Sequence, residues 1–273
     1  MGRLARLSRQ PVIGPVARNV MGYMVNREAA KIAEHFANYI QPTIAKVQHE
    51  KNEAYNIRHQ VYCQELKFEP EKKDGLEVDS FDGHAIHCLM RHKQSGQAMG
   101  TVRVVTPQEE HHLLPLEVHC SDFIDDGKMN PSRFEREEIC EISRLAVPAC
   151  FRRRRTDKFE GAATGAINIE SYSDDEMRCM PFIAIGLYLG AASIAVHRDI
   201  HHAFAMMEPR LARSMRFVGI DFEQIGEARD YHGLRAPYYI SLDRLNAGIK
   251  PGLNKLYRCV SDQLCEAVAE LQL

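Results

Sequence analysis

The spacing of apolar and polar positions changes along the chain. From Glu28 to Ile40, Ala30, Ala33, Phe36, Ala37 and Ile40 recur at helical intervals and predict an amphipathic helix. A second helix is expected after Pro42, running to about Glu65. Ala54, Ile57, Val61 and Tyr62 share one of its sides, with Arg58 one turn before Tyr62. The pattern then breaks. "FEPEKKDGLEVDSFDG", Phe68 to Gly83, has six acids and no apolar period, so it predicts a loop. Loops of that length in compact domains are usually functional or disordered. "HAIHCLMRHK" and "QAMGTVRVVTP" follow, joined through Gln94-Ser95-Gly96, and predict a hairpin. In its second strand Met99, Thr101, Arg103 and Val105 point one way, and Gly100, Val102 and Val104 the other. Residues 107–137 predict a loop with a short helix near Leu116–Phe123.

"EICEISRLAV" predicts a strand on which strict alternation separates Glu141 from Arg144, unless a bulge brings them together. A polar insertion comes next, "TDKFEGAATGAINIESYSDDEM", and then an apolar helix over about 180–198. A short strand, "HHAFAMMEP", leads to a helix, "RLARSMRFVGI", ended by Gly219. Two strands around His232-Gly233 and a helix over 254–271 complete the chain, without internal repeats. This order mixes antiparallel pairs with a strand–helix–strand crossover. It predicts one α/β domain over 28–273, with a mixed, mostly antiparallel sheet flanked by helices and extra N- and C-terminal helices.

Composition narrows the class. The 273 residues are 45% hydrophobic and 26% charged, which suits a single globular core. A formal net charge of −2 argues against a nucleic-acid binder. Charge is uneven, however, since Arg3, Arg6, Arg9, Arg18 and Arg27 all precede the first acid, Glu28. The basic arm over 1–27 could touch an acidic partner or a membrane surface peripherally, or be a loose tail. Eight cysteines without CxxC spacing, in a chain without an export signal, are expected as reduced thiols in the cytoplasm. "MPFIAIGLYLGAASIAV" has no charge but falls short of the ~18 or more apolar residues of a membrane span, so a buried helix is expected. Neither HExxH, nor a Walker loop, nor GxSxG, nor GxGxxG occurs. His197 and His201 have metal-ligand spacing on a helix, but no cysteine or HExxH supports them, so no metal and no permanent cofactor are expected.

The chemistry gathers around "EICEISRLAVPACFRRRR". A strand that ends at a proline turn and a helix start can cradle an anion with its backbone N–H groups. Arg152, Arg153, Arg154 and Arg155 add guanidinium groups suited to phosphate, or form a solvated basic face. Together with the later "AMMEPRLARSMRFVGI", this stretch resembles the GNAT acyltransferase superfamily. A narrower set resembles the autoinducer synthases that make acyl-homoserine lactones: Arg58 before "VYCQELKF", Glu77, Asp79 and Asp82 in "EVDSFD", Arg103 in "GTVRVV", and Glu141 and Arg144 in "EISR". Those synthases usually carry a tryptophan after the first arginine; this chain has none, and Phe68 stands there. The insertion and the C-terminal helix look more like N-acyl amino acid synthases. "VYCQELKFEP", "EVDSFDGHAIH" and "EISRLAV" resemble above all the acyltransferases associated with PEP-CTERM/exosortase systems in bacteria.

The resemblance implies transfer of a fatty acyl group from an acyl-carrier thioester, borne by acyl carrier protein or coenzyme A, to the amine of an amino acid. The alternatives are an acyl-homoserine-lactone synthase using S-adenosylmethionine and a non-catalytic carrier-binding module. An amine attacking a thioester needs a proton acceptor, a polarised carbonyl and close approach. Glu141 is the first candidate base and Glu77 the second. Arg58, Asp79, Asp82, Arg103, Arg144 and Ser143 are expected in a buried network that is structural or touches substrate. Val147, Arg152 to Arg155 and Lys158 are assigned to the carrier. Phe182, Ile185, Leu189 and Met206 are expected to line the acyl slot or to be plain core.

Overall fold

The computed structural model describes residues 33–34, 36–125, 127, 129–152, 182–217 and 219–271. The arm over 1–27, the insertion over 156–177, Arg153, Arg154, Arg155 and Lys158 lie outside the described residues, as does the side chain of Arg152.

Among the described residues eight strands form the scaffold: β1 (Ile40–Ile44), β2 (Ala85–His92), β3 (Ala98–Val105), β4 (Ile139–Ala146), β5 (His202–Met207), β6 (Glu223–Gln224), β7 (Arg229–Asp230) and β8 (Leu234–Ser241). Their order is β1-β2-β3-β4-β5-β8-β6, with β7 paired beside β8. Every pairing is antiparallel except β4 with β5. The helices are α1 (Gln48–Arg58, continued by a π-helical segment over His59–Glu65), α2 (Pro115–His119), α3 (Ala149–Arg152), α4 (Ile183–His197), α5 (Pro209–Phe217), α6 (Leu242–Gly248) and α7 (Pro251–Ala269). This is the GNAT-like α/β architecture expected from the sequence.

The hydrophobic pattern explains the layers. α4 is apolar around nearly its whole circumference, as a helix buried on all sides must be. It lies between the sheet and α7, which also crosses β1. Close approach is built in: a Cβ on Gly186 would sit 2.7 Å from the buried ring of Phe36. On the other face α1 packs against β2 and β3 through Ala54, Ile57, Val61 and Leu89.

Two departures from the expected elements have physical causes. Residues 40–44 form an edge strand, so the first helix stops by residue 39 and the second starts at Gln48. Pro42 hid that strand, but an edge position tolerates a residue without an N–H. α6 follows β8 directly, capped by the Ser241 side chain accepting from the Arg244 N–H, and it is too short for a periodic signal. No helix among the described residues is long and apolar enough to cross a membrane. No disulfide joins any two of the described cysteines.

Two irregularities of β4 build the site. Thr101 pairs with Ala146 while Arg103 pairs with Ser143, so β4 carries one extra residue. Arg144 takes up that residue with φ of 50°, a left-handed conformation costing a non-glycine residue about 1–3 kcal/mol. The bulge turns Arg144 onto the face that already carries Glu141 and Arg103. Second, β4 pairs with β5 only over Ile139–Glu141, opposite His202–Phe204. Beyond Glu141 the two strands run on without pairing, and a cleft opens between them.

Candidate active site

The cleft has a volume of about 540 Å³. Ile142, Ser143, Arg144, Leu145 and Val147 line one wall, and Ala205, Met206, Met207 and Glu208 the other. Val61, Tyr62, Leu66, Phe68, Ala184, Tyr188 and Leu211 make most of the rest apolar, with Arg210 and Arg235 at its charged positions. Where parallel strands separate, N–H groups of β4 facing the gap lose their strand partners. Such groups are available to polarise a carbonyl. Tyr62 fixes the inner end by donating its hydroxyl to the Leu145 carbonyl at 2.7 Å.

Beside this wall lies a charged cluster. Arg58, fully buried on α1, donates to Glu77 and to both oxygens of Asp82 at 2.6 and 3.1 Å. Arg103 donates to Asp79 at 2.5 Å, Asp82 at 3.0 Å and Ser143 at 3.1 Å. Arg144 reaches Glu77 at 3.3 Å and Asp79 at 3.2 Å. The acidic loop can hold these cations because it ends in a tight cap: Asp79 accepts from the Phe81 N–H, and Asp82 from the Asp79 N–H. Three guanidinium groups thus meet three carboxylates, so the buried charge is matched, while Arg103 Nη2 is buried without a hydrogen-bond partner. Burial opposes ionisation of Asp82, but Arg58 and Arg103 outweigh it and hold the carboxyl well below its usual range. Asp79 is lowered in the same way, chiefly by Arg103. His87, buried against this cluster and 3.6 Å from Asp82, has its pKa pushed down to about 3 by burial and stays neutral.

Glu141 stands apart from that balance. It is 3% exposed, and one of its oxygens accepts from the Leu116 N–H at 2.7 Å. Burial pushes its pKa up to about 7, against the pull of that N–H, Arg103 and Arg144. It faces a second chamber of about 70 Å³, lined also by Asp79, Phe81, Leu116, His119, Cys120, Tyr231 and His232. Tyr62, Phe68, Ser143, Arg144, Met206 and Arg235 border both spaces, so chamber and cleft share a wall. A carboxyl poised near neutrality can take a proton from a substrate held there.

The expected residues fall into three groups. Arg58, Glu77, Asp79, Asp82, Arg103, Arg144 and Ser143 meet in one network next to Glu141. Glu77 spends its two oxygens on Arg58 and Arg144 and lines neither space. Val147 and Met206 line the cleft. Phe182, Ile185 and Leu189 do not: Leu189 is fully buried, and Phe182 and Ile185 pack against the main core. Helical phase is the reason. Ala184 and Tyr188, four residues apart, are the pair that α4 turns toward the cleft. Arg235, Tyr231 and His232 were missed because they arrive on the β7–β8 hairpin, far along the chain. The only local signal was His232-Gly233, whose φ values of 54° and 93° mark the tight turn. Glu109, His111 and His112 bring possible ligand atoms together on a surface loop that lines neither space.

Residues 57–160 match the family model described as an Acetyltransferase (GNAT) domain. Curated proteins yield no match. Among solved structures, the CoA-dependent acyl-homoserine lactone synthase BjaI, with SAM and isopentyl-CoA, superposes with a TM-score of 0.56 at 13% identity, covering 80% of this chain and 89% of its own. TofI, in a ternary complex with an inhibitor and MTA, gives 0.54 at 16% identity, covering 78% and 99%. FeeM, an N-acyl amino acid synthase from uncultured soil microbes, gives 0.49 at 14% identity, covering 77% and 94%. At such identities the likeness to BjaI and TofI establishes a GNAT-like fold, and the family match over residues 57–160 supports an acyltransferase.

Proposed function

We propose that this GNAT-type domain is an N-acyltransferase that moves a fatty acyl group from a carrier thioester to the amine of a free amino acid. The observation that carries this reading is the shared wall between an apolar cleft and a small charged chamber holding Glu141. The acyl chain lies in the cleft, with its thioester carbonyl against the unpaired stretch of β4. The amine enters from the chamber. Its nitrogen attacks the carbonyl carbon, the C–N bond forms, and Glu141 accepts the amine proton directly or through one water. Collapse of the tetrahedral intermediate breaks the C–S bond, and the departing thiolate takes the proton back from Glu141, directly or through one water, and leaves as the thiol. Glu141 is thereby returned to the carboxylate. The charge cluster keeps β4, the acidic loop and α1 in register and does not itself exchange protons.

Chamber size favours an amino acid over S-adenosylmethionine, the acceptor of the alternative lactone synthase. About 70 Å³ is far below the ~300–1,000 Å³ of pockets that enclose drug-sized ligands, so the smaller acceptor suits it better. Resemblance to PEP-CTERM-associated acyltransferases supports a bacterial enzyme working on the cytoplasmic acyl-carrier pool. The purified full chain, given dodecanoyl-acyl carrier protein or dodecanoyl-CoA with the twenty amino acids or S-adenosylmethionine, tests the assignment by mass spectrometry. N-dodecanoyl amino acid and free carrier thiol are expected. A homoserine lactone product moves the protein to the alternative class, and no product with any pair rejects catalysis. The Arg152–Arg155 run fits an acidic protein carrier, so Arg153→Glu with Arg154→Glu raises the carrier KM about tenfold or more. An unchanged KM removes that docking role.

A further inference from the structure

Arg235 is the cation that the charge network leaves out. It borders both the chamber and the cleft. Its guanidinium stacks over the Phe68 ring at 5.6 Å, and its Nε is buried without a hydrogen-bond partner. Among the described residues no carboxylate lies within ion-pair distance of it. Arg58, Arg103 and Arg144 all have such partners. Glu69, which also lines the chamber, is turned toward Arg144 and His232, at 3.8 Å from each. Arginine does not deprotonate in a protein, so it cannot shed its charge to relieve partial burial. A guanidinium with an unsatisfied inward donor at the junction of two cavities is the counter-ion of something that arrives. Its planar fork suits a carboxylate.

We propose that Arg235 binds the carboxylate of the acceptor and thereby selects amino acids over simple amines. This rests on the N-acyltransferase reading and names the recognition element of that same site. Glu141 and Arg235 both line the one small chamber, so an acceptor anchored at Arg235 presents its amine toward the carboxyl that takes the proton. A neutral amine would leave the guanidinium unpaired. Sites built around a polar substrate group reject analogues that lack it for this reason.

Binding of product analogues tests the anchor independently of turnover. Calorimetry on the full chain compares N-dodecanoylglycine with N-dodecanoylglycinamide, and both with dodecanoyl-CoA, for wild type, Arg235→Met and Arg235→Lys. Wild type is expected to bind the acid about 30-fold more tightly than the amide, the scale of a charge-assisted pair. Arg235→Met should bring that ratio below about threefold and Arg235→Lys should keep part of it, with dodecanoyl-CoA affinity changed little. No acid-over-amide preference in wild type, including failure to bind either analogue, overturns the proposal without any variant having to fold. So does a preference that survives Arg235→Met, or a loss confined to dodecanoyl-CoA, which would make Arg235 a carrier contact. Absence of the preference in a wild type that still produces N-acyl amino acid removes the anchor alone. A preference without turnover supports the anchor and rejects the reaction.

Discussion

Glu141→Gln keeps the volume of the side chain and an oxygen able to accept from the Leu116 N–H, but removes the proton acceptor. General-base assistance contributes roughly 10²–10⁴-fold, so kcat/KM for the amine should fall by about that factor. The pH dependence separates this cause from a packing defect. With its pKa near 7, Glu141 is ionised in about a tenth of molecules at pH 6 and about nine tenths at pH 8. The wild-type rate should rise roughly ninefold across that interval, and the residual rate of the variant should lack this limb. Stability gives a second readout of opposite sense. The folded pKa lies above the usual 4.5, so the folded protein holds the proton more tightly than the unfolded chain does. That contribution is complete below about pH 4.5 and is lost as pH rises through about 7, a swing of about 3 kcal/mol. Glutamine has no charge to bury. The variant should therefore be more stable than wild type at pH 8.5, by several degrees in Tm, and nearly equal to it at pH 4.5. Stopped-flow thiol release and thermal melts at matched pH check both. A variant with wild-type rate and an unchanged pH limb refutes Glu141 as the base, and equal Tm differences at both pH values refute its buried, neutral-range carboxyl.

Asp82→Asn leaves Arg58 and Arg103 short of a counter-charge and should cost about 3–5 kcal/mol at pH 7 by urea denaturation. Asp82 titrates below its usual range, so its stabilisation is present above about pH 3.8 and lost as pH falls further; the gap to wild type should narrow in acid, and a gap independent of pH contradicts the ion-pair account. Ala184→Trp fills the cleft from α4 and should shift preference from dodecanoyl to short acyl donors by tenfold or more in kcat/KM; an unaltered chain-length profile would place the acyl chain elsewhere. Gly186→Ala pushes a methyl into Phe36 and should destabilise by about 1–3 kcal/mol with little change in KM, as a denaturation curve and one kinetic run will tell.

The network residues were legible through the resemblance to the autoinducer synthases, whose spaced charges Arg58, Glu77, Asp79, Asp82, Arg103, Glu141 and Arg144 match. The six acids between Phe68 and Gly83, without an apolar period, marked the loop that carries three of them. Their geometry was not legible. Alternation alone sets Glu141 and Arg144 on opposite faces, and nothing in "EISRLA" announces that Arg144 adopts a left-handed backbone and joins the same face. The cleft was only half read. Val147 and Met206 follow from strands that run alongside, but the helix residues depend on rotational phase, and α4 is too uniformly apolar to reveal which side faces a cavity. Arg235 was invisible because its importance lies in what it lacks. A missing carboxylate is a property of three dimensions, since it depends on where β8 lies beside β5.

The central claim is that the gap between β4 and β5 holds the acyl thioester. A crystal structure with a non-hydrolysable dodecanoyl-CoA thioether decides it. The carbon replacing the carbonyl should lie between Ile142–Leu145 and Ala205–Met207, with the alkyl chain running past Ala184 and Tyr188 and the chamber of Glu141 open beside it. Density for the acyl group outside that gap, or strands zipped together with the ligand bound elsewhere, would contradict the account.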